Sequence, residues 1–171
     1  MGEAVIIRRA RIGDVRSIKS LVDEYAGRVL LVKELVTLYE DVQEFWVADQ
    51  GGELVGCGAL HVLWEDLAEI RTIAVTPKVR GTGVGHALIT QLIDNARELG
   101  LARVFALTFE KRFFTGHGFT EIQGSPVTHE VYEQMRHSAD EGVAEFLDLP
   151  YVKPNTLGNY RMLLELEKPA E

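Results

Sequence analysis

Apolar and polar positions follow two rhythms along this chain. Val5 to Arg9 is a short, mainly apolar run that predicts a first strand. From Asp14 to Tyr25 the residues Val15, Ile18, Leu21, Val22 and Tyr25 recur at helical spacing, which predicts a helix with one buried face. The stretch Arg28-Val29-Leu30-Leu31-Val32-Lys33 is apolar with a lysine tip and leads into a second helix through Tyr39 and Val42. Phe45 to Ala48 and Leu54 to Leu63 predict the two strands of a hairpin, turned at Gln50-Gly51-Gly52-Glu53.

The rhythm changes in the middle of the chain. Glu69-Ile70-Arg71-Thr72-Ile73-Ala74-Val75 alternates and then becomes apolar, with Pro77 just beyond, as a strand would. Leu88, Ile89, Leu92, Ile93, Ala96 and Leu99 predict a long amphipathic helix stopping at Gly100, and Ala102 to Thr108 predicts another strand. Strand, crossover helix and parallel strand form a βαβ unit, whose ligands bind at the carboxyl ends of the strands. Phe113 to Gly118 predicts a short helix, followed by a strand through Ile122, a helical region near Val131 and a final strand from Met162 to Leu166. No repeat or linker interrupts the pattern, so the expectation is one mixed α/β (α+β) domain over residues 1–171, with an early hairpin and one central crossover.

Between the middle strand and the long helix lies Val79-Arg80-Gly81-Thr82-Gly83-Val84-Gly85-His86, with three glycines at alternate positions. Each glycine costs backbone entropy but lets the main chain turn tightly and come close to a ligand. At a helix N-terminus the first amides lack helical acceptors and carry the positive end of the dipole, so an anion, most often phosphate, is the expected guest. A Walker loop is excluded because no lysine occurs between Lys78 and Lys111. A dinucleotide fingerprint is disfavoured too, because GTGVG reads GxGxG and sits mid-chain after a hairpin.

Composition narrows the field further. A net charge of -8 over 171 residues argues against a general nucleic-acid-binding surface. Cys57 is the single cysteine, so no intrachain disulfide forms and no zinc-ligand cluster or other metal site is expected. No apolar stretch reaches membrane-spanning length and MGEAVIIRRA is not a secretory signal, so a soluble, cytoplasmic protein is expected.

The spacing Arg80-x-x-Gly83-x-Gly85, after a strand and opening a long helix, resembles the acyl-CoA-binding signature of the GNAT acetyltransferase superfamily, and Gly118-Phe119 resembles that family's second motif. Ala68-Glu69-Ile70-Arg71-Thr72-Ile73-Ala74-Val75, Val104 to Thr108, His117-Gly118-Phe119 and Asn159-Tyr160-Arg161-Met162-Leu163 are similar to the acetyltransferase domain of N-acetylglutamate synthases, especially the short, single-domain actinobacterial type. Leu30-Leu31-Val32-Lys33 resembles the substrate-side segment of that group. The resemblance implies that the amides of Arg80, Gly81, Thr82, Gly83, Val84, Gly85 and His86 hold the pyrophosphate of acetyl-CoA. It implies that Ile73, Ala74 and Val75 meet the acetyl carbonyl and pantetheine through their main chain, and that the acceptor is the α-amino group of L-glutamate, in the first step of arginine biosynthesis. The chain departs from the larger members by having no room for an arginine-binding kinase-like domain. It departs again at Phe114, where many GNAT enzymes carry a tyrosine general acid, and at Gly158, where some synthases carry an arginine.

The chemistry needs a neutral amine, a polarised carbonyl and a protonated leaving thiol. Glu69 is the candidate general base, Ile73 the strand amide that polarises the carbonyl, and Thr108 a hydroxyl for the leaving sulfur. Cys57 would permit a ping-pong route, but free cysteines are usually buried hydrophobes, so direct attack in a ternary complex is preferred. His61 and His117 are bases by residue type alone. A dicarboxylate acceptor calls for cations and donors, and the candidates are Lys33, Arg71, Thr72, Lys153, Asn159, Tyr160 and Arg161. Other acceptors stay open, namely glutamine, an aminoglycoside or a protein N-terminus, as does a non-catalytic acyl-CoA sensor favoured by Phe114. The apolar segment Val143 to Tyr151 either pairs protomers in a homodimer or covers the core.

Overall fold

The computed structural model describes residues 3–25, 33–148 and 159–166. In chain order these form β1 (Val5–Arg9), α1 (Val15–Asp23), α2 (Leu35–Glu40), β2 (Phe45–Gln50), β3 (Glu53–Trp64), β4 (Leu67–Val75), α3 (Val84–Glu98), β5 (Arg103–Thr108), α4 (Lys111–Thr115), β6 (Thr120–Glu121), α5 (His129–Met135), α6 (Glu141–Leu147) and β7 (Tyr160–Glu165). The strands join in a seven-stranded mixed sheet in the order β1-β2-β3-β4-β5-β7-β6. The chain packs as two compact units, one comprising residues 1–61 and 70–99, the other 62–69 and 100–171. Among the described residues no helix is long and apolar enough to cross a membrane.

In the first unit, β1 and β2 pair antiparallel from Val5↔Gln50 to Arg9↔Trp46, and β2 and β3 pair antiparallel around the turn at Gly51 and Gly52. Both turn glycines have positive φ, 61° and 90°, the geometry that a two-residue hairpin demands. The predicted apolar face of α1 buries Val15, Ile18, Leu21 and Val22 against Leu38, Phe45, Val47, Cys57, Ala59 and Ala74. On α3 the buried apolar residues are Val84, Leu88, Ile89, Leu92, Ile93 and Ala96, and polar Asn95 is buried among them. Leu99, expected on that face, is instead 57% exposed, because α3 ends at Glu98 and the chain turns at Gly100 with φ 84°. The helix lies close on the sheet because β3 lacks side chains beneath it. A Cβ at Gly56 would come 3.0 Å from Leu88 Cδ1, and one at Gly58 would overlap Ile73 and press on Leu92.

In the second unit, β5 pairs antiparallel with β7 from Arg103↔Glu165 to Thr108↔Tyr160, and the short β6 adds to β7. Its core gathers Leu63, Leu67, Phe105, Met135, Val143, Ala144, Phe146 and Leu147, with Phe105 and Phe146 edge to face at 4.7 Å between centroids. Helix α6 was not expected. Asp140 caps it by accepting from the Val143 N–H at 3.0 Å, and it turns the apolar segment inward. Val143, Ala144, Phe146 and Leu147 are therefore spent on the core of their own chain, which is the second of the two uses the sequence left open. Residues 149–151 of that segment lie outside the described residues.

Candidate active site

Strand β4 carries most of the candidate chemistry. Its parallel ladder with β5 has three pairs, Leu67↔Arg103, Ala68↔Val104 and Glu69↔Phe105, and β4 then continues to Val75 beyond them. Glu69, at the end of the ladder, is only 4% exposed. Three residues on, Thr72 has φ 59°, in the left-handed region that β-branched residues avoid. Alternating apolar spacing gave no sign of this. Such an outlier inside a strand stores strain that the surroundings must hold in place, and strained residues cluster at functional sites. Part of the hold is visible: the Cys57 Sγ donates to the Thr72 carbonyl at 3.6 Å.

Past Val75 the backbone runs through a short turn at Pro77–Val79 into the glycine loop. Gly81 and Gly83 have φ 77° and 90°, and a Cβ added to either would meet nothing within 4 Å, so conformation rather than packing demands glycine there. Gly85 differs, for it lies in the first turn of α3 and is not left-handed. The first helical bond of α3 runs from the Ala87 N–H to the Gly83 carbonyl at 3.0 Å, and no side chain of the described residues caps the N-terminus. The Arg80 and Thr82 N–H groups, expected among the diphosphate donors, instead donate to the Pro77 and Val79 carbonyls, each at 3.2 Å, closing the turn. The amides of Gly83, Val84 and Gly85 lie at the helix end with the positive dipole behind them, a donor set that fits a diphosphate. Arg80 is exposed at the head of the loop, and its Nη2 donates to the Tyr25 hydroxyl at 3.0 Å. The sequence reading assigned Tyr25 only to a helix face and missed this contact.

The remaining catalytic candidates are placed as follows. Thr108 is buried at the end of β5, where its Oγ1 accepts from the Glu110 N–H at 2.8 Å and its own proton stays free to donate. Phe114 is 5% exposed and packs edge-on against Phe119 at 5.1 Å, a core residue with no proton to give. Cys57 is fully buried, and burial pushes its thiol up to about 12, which keeps it protonated and a poor nucleophile. His61 Nδ1 pairs closely with Glu44 Oε1, and the His117 ring lies beside that of Phe113, tilted by 59° with 5.4 Å between centroids.

The acceptor-side candidates fare unequally. Lys33, Arg71 and Thr72 belong to the unit that carries the loop, whereas Asn159, Tyr160 and Arg161 belong to the unit that carries Glu69 and Thr108. Lys153 and Gly158 lie outside the described residues, as do Leu30, Leu31 and Val32. Tyr160 pairs across from Thr108, and its ring receives Lys111 Nζ at 5.2 Å. Arg161 is held by its own scaffold. It donates to the Gly124 carbonyl at 2.7 Å and closely to the Phe146 carbonyl, reaches Ser125 Oγ at 3.4 Å, and lies 4.9 Å from the Phe105 ring centroid. Burial lowers its pKa, and the negative charges of Asp148, Glu69 and Glu145 oppose that shift.

Comparison with known proteins gives this arrangement a lineage. The model of the acetyltransferase (GNAT) family matches residues 17–119, from α1 through β4 and the glycine loop to Phe119. The chain belongs to the GNAT acetyltransferase family. This GNAT chain is 65% identical over 164 residues to an amino-acid acetyltransferase of Mycobacterium tuberculosis, covering 94% of each protein. It is 35% identical over 119 residues to an amino-acid acetyltransferase of Neisseria meningitidis, but spans only 26% of that longer protein. Among solved structures, Rv2747 from Mycobacterium tuberculosis, in complex with CoA and NLQ, superposes with a TM-score of 0.92 at 64% identity, covering 95% of this chain and 99% of that one. The N-acetylglutamate synthase of Neisseria gonorrhoeae, complexed with coenzyme A and N-acetyl-glutamate, shares the fold at a TM-score of 0.76 and 24% identity, with 98% of this chain matching 36% of that one.

Proposed function

We propose that this GNAT acetyltransferase moves the acetyl group of acetyl-CoA onto the α-amino group of an amino acid, L-glutamate, by direct attack in a ternary complex. The observation that carries the reading is the content of one strand. β4 holds a buried carboxylate at Glu69, a left-handed Thr72, the Ile73 amide, and then the loop whose uncapped amides suit a diphosphate. The amino-acid acetyltransferase of Mycobacterium tuberculosis, at 65% identity over nearly the full chain, supports an amino-acid acceptor. The likeness of Asn159-Tyr160-Arg161-Met162-Leu163 and of β4 to N-acetylglutamate synthases favours glutamate.

An ammonium has no lone pair to attack a thioester, so the acceptor must first lose a proton, and Glu69 takes it directly or through water. The Ile73 N–H stabilises the oxyanion that develops as the nitrogen adds. Collapse of the tetrahedral intermediate expels the coenzyme sulfur, and the Thr108 hydroxyl, anchored by the Glu110 amide, donates toward it. The buried, protonated Cys57 thiol argues against an acetylated-enzyme route. Coenzyme A contacts fall to the main chain of Ile73, Ala74 and Val75 and to the loop Arg80–His86, with Arg80 supplying charge. Lys33, Arg71 and Asn159 are the groups we assign to the acceptor's carboxylates.

Steady-state release of free CoA, with L-glutamate, L-glutamine, L-aspartate and L-arginine each offered as acceptor, tests the proposal. Saturable turnover strongest with glutamate is expected. Coenzyme binding without turnover on any of the four would overturn it.

A further inference from the structure

One side chain outside the strand and the loop reaches both. Tyr25 follows α1 by two residues, and its N–H donates to the Val22 carbonyl at 3.0 Å, so the turn leaving the helix is itself fixed. Its ring packs against the buried core formed by α1, α2, β2 and β3, and its hydroxyl emerges at the end of β4. There the hydroxyl donates to the carbonyl of Val75, the last residue of β4, at 2.7 Å, and accepts from Arg80 Nη2 at 3.0 Å. The Arg80 guanidinium carbon also lies 6.0 Å from the Tyr25 ring centroid. The opposite side of this corner is pinned as well, by the Thr76 N–H donating to the Val55 carbonyl at 2.9 Å.

We infer that Tyr25 is a positioning residue for the coenzyme loop: its hydroxyl orients Arg80 and masks the Val75 carbonyl at the point where β4 opens into the diphosphate-binding turn. The inference rests on the coenzyme reading of residues 80–86. Both hydrogen bonds act in the same direction. A long, exposed arginine loses rotamer freedom whenever it is fixed on an anion, and holding it beforehand removes part of that cost. An unmasked carbonyl presents its negative end to an incoming phosphate, and a donated O–H cancels that end. Tyr25→Phe keeps the ring, its packing and its place beside the Arg80 guanidinium and removes only the hydroxyl that makes both hydrogen bonds, so it separates positioning from packing.

The test is calorimetric titration of CoA into wild type, Tyr25→Phe, Arg80→Ala and the double variant, with acetyl-CoA and acetyl-pantetheine kinetics alongside. The expected result is a CoA Kd raised about tenfold in Tyr25→Phe and a smaller further rise when Tyr25→Phe is added to Arg80→Ala, because the share that acts through Arg80 is already lost and only the masking of the Val75 carbonyl remains to be removed. The KM for acetyl-CoA should rise with kcat kept, and the KM for acetyl-pantetheine, which lacks the diphosphate, should not move. Unchanged CoA affinity in Tyr25→Phe, additive losses in the double variant, or an equal rise in KM for acetyl-pantetheine would overturn the inference and leave the coenzyme reading standing. Wild type that binds no CoA would overturn the coenzyme reading, and the inference with it.

Discussion

The N-terminus of α3 and the guanidinium of Arg161 are both gatherings of hydrogen-bond donors, and they are finished in opposite ways. At α3, two left-handed glycines bring the chain into a helix whose first amides precede any helical acceptor, and no side chain of the described residues caps them. At Arg161, the donors already meet the carbonyls of Gly124 and Phe146 and the Ser125 hydroxyl, with the Phe105 ring against the guanidinium. Donors left at the surface with a dipole behind them are available to a ligand. Donors committed to the protein's own carbonyls hold it together. The difference teaches that a cationic side chain is weak evidence for a binding site until its existing partners are counted.

Replacing Arg161 should give the larger effect of the two. Arg161→Ala leaves the carbonyl of buried Phe146 without its charged donor, so denaturant unfolding should show a loss of about 2 to 3 kcal/mol, with the acceptor KM little changed in the protein that remains folded. A large rise in acceptor KM with stability intact would instead make Arg161 a substrate ligand and collapse the comparison. Gly83→Val sharpens the other side. Left-handed backbone costs a side-chain-bearing residue roughly 1–2 kcal/mol, so the loop should relax and the Kd for CoA rise about tenfold. The rest of α3 should be undisturbed, since a Cβ at Gly83 meets nothing within 4 Å.

The smallest expected effect lies far from either place. Arg8 grips Asp14 with two bonds of 2.8 and 3.0 Å, and these, with the Arg11 N–H, hold the Asp14 carboxyl below its ordinary 3.8. A depressed carboxylate contributes stability that is fully present above the ordinary carboxylate range and is lost as pH falls through that range toward the folded value. Melting temperature should therefore hold steady from neutral pH to about pH 5 and decline below about pH 4. Asp14→Asn should lower the plateau and flatten the decline. A wild-type decline that survives unchanged in Asp14→Asn would assign it to other carboxylates.

These contrasts also show what could be read from the chain alone. The loop at Gly81 and Gly83 was legible because its cause is local: glycine at fixed offsets before a helix-period pattern has few other uses. The hairpin at Gly51 and Gly52 was legible for the same reason. Thr72 was not, since a β-branched residue inside an alternating run is what an ordinary strand prefers, and nothing nearby marks the left-handed turn. The commitment of Arg161 was hidden too, because its main partners sit 37 and 15 residues away in sequence, at Gly124 and Phe146. Leu99 was misassigned because periodicity carried the apolar face one residue past the end of α3. Tyr25 combined both problems: its ring fitted the helix face, and the hydroxyl's partners, Val75 and Arg80, are 50 and 55 positions further along the chain.

In the proposed mechanism β4 serves binding and chemistry with different residues, the coenzyme through its end and the loop, the acceptor amine through Glu69. Turnover and CoA affinity measured side by side in Glu69→Gln test it most directly. The amide keeps the shape of the carboxylate but cannot take a proton, so kcat with L-glutamate should fall by about 10²- to 10⁴-fold while the Kd for CoA stays near that of wild type. Equal turnover in wild type and Glu69→Gln would contradict the account and remove Glu69 from the mechanism.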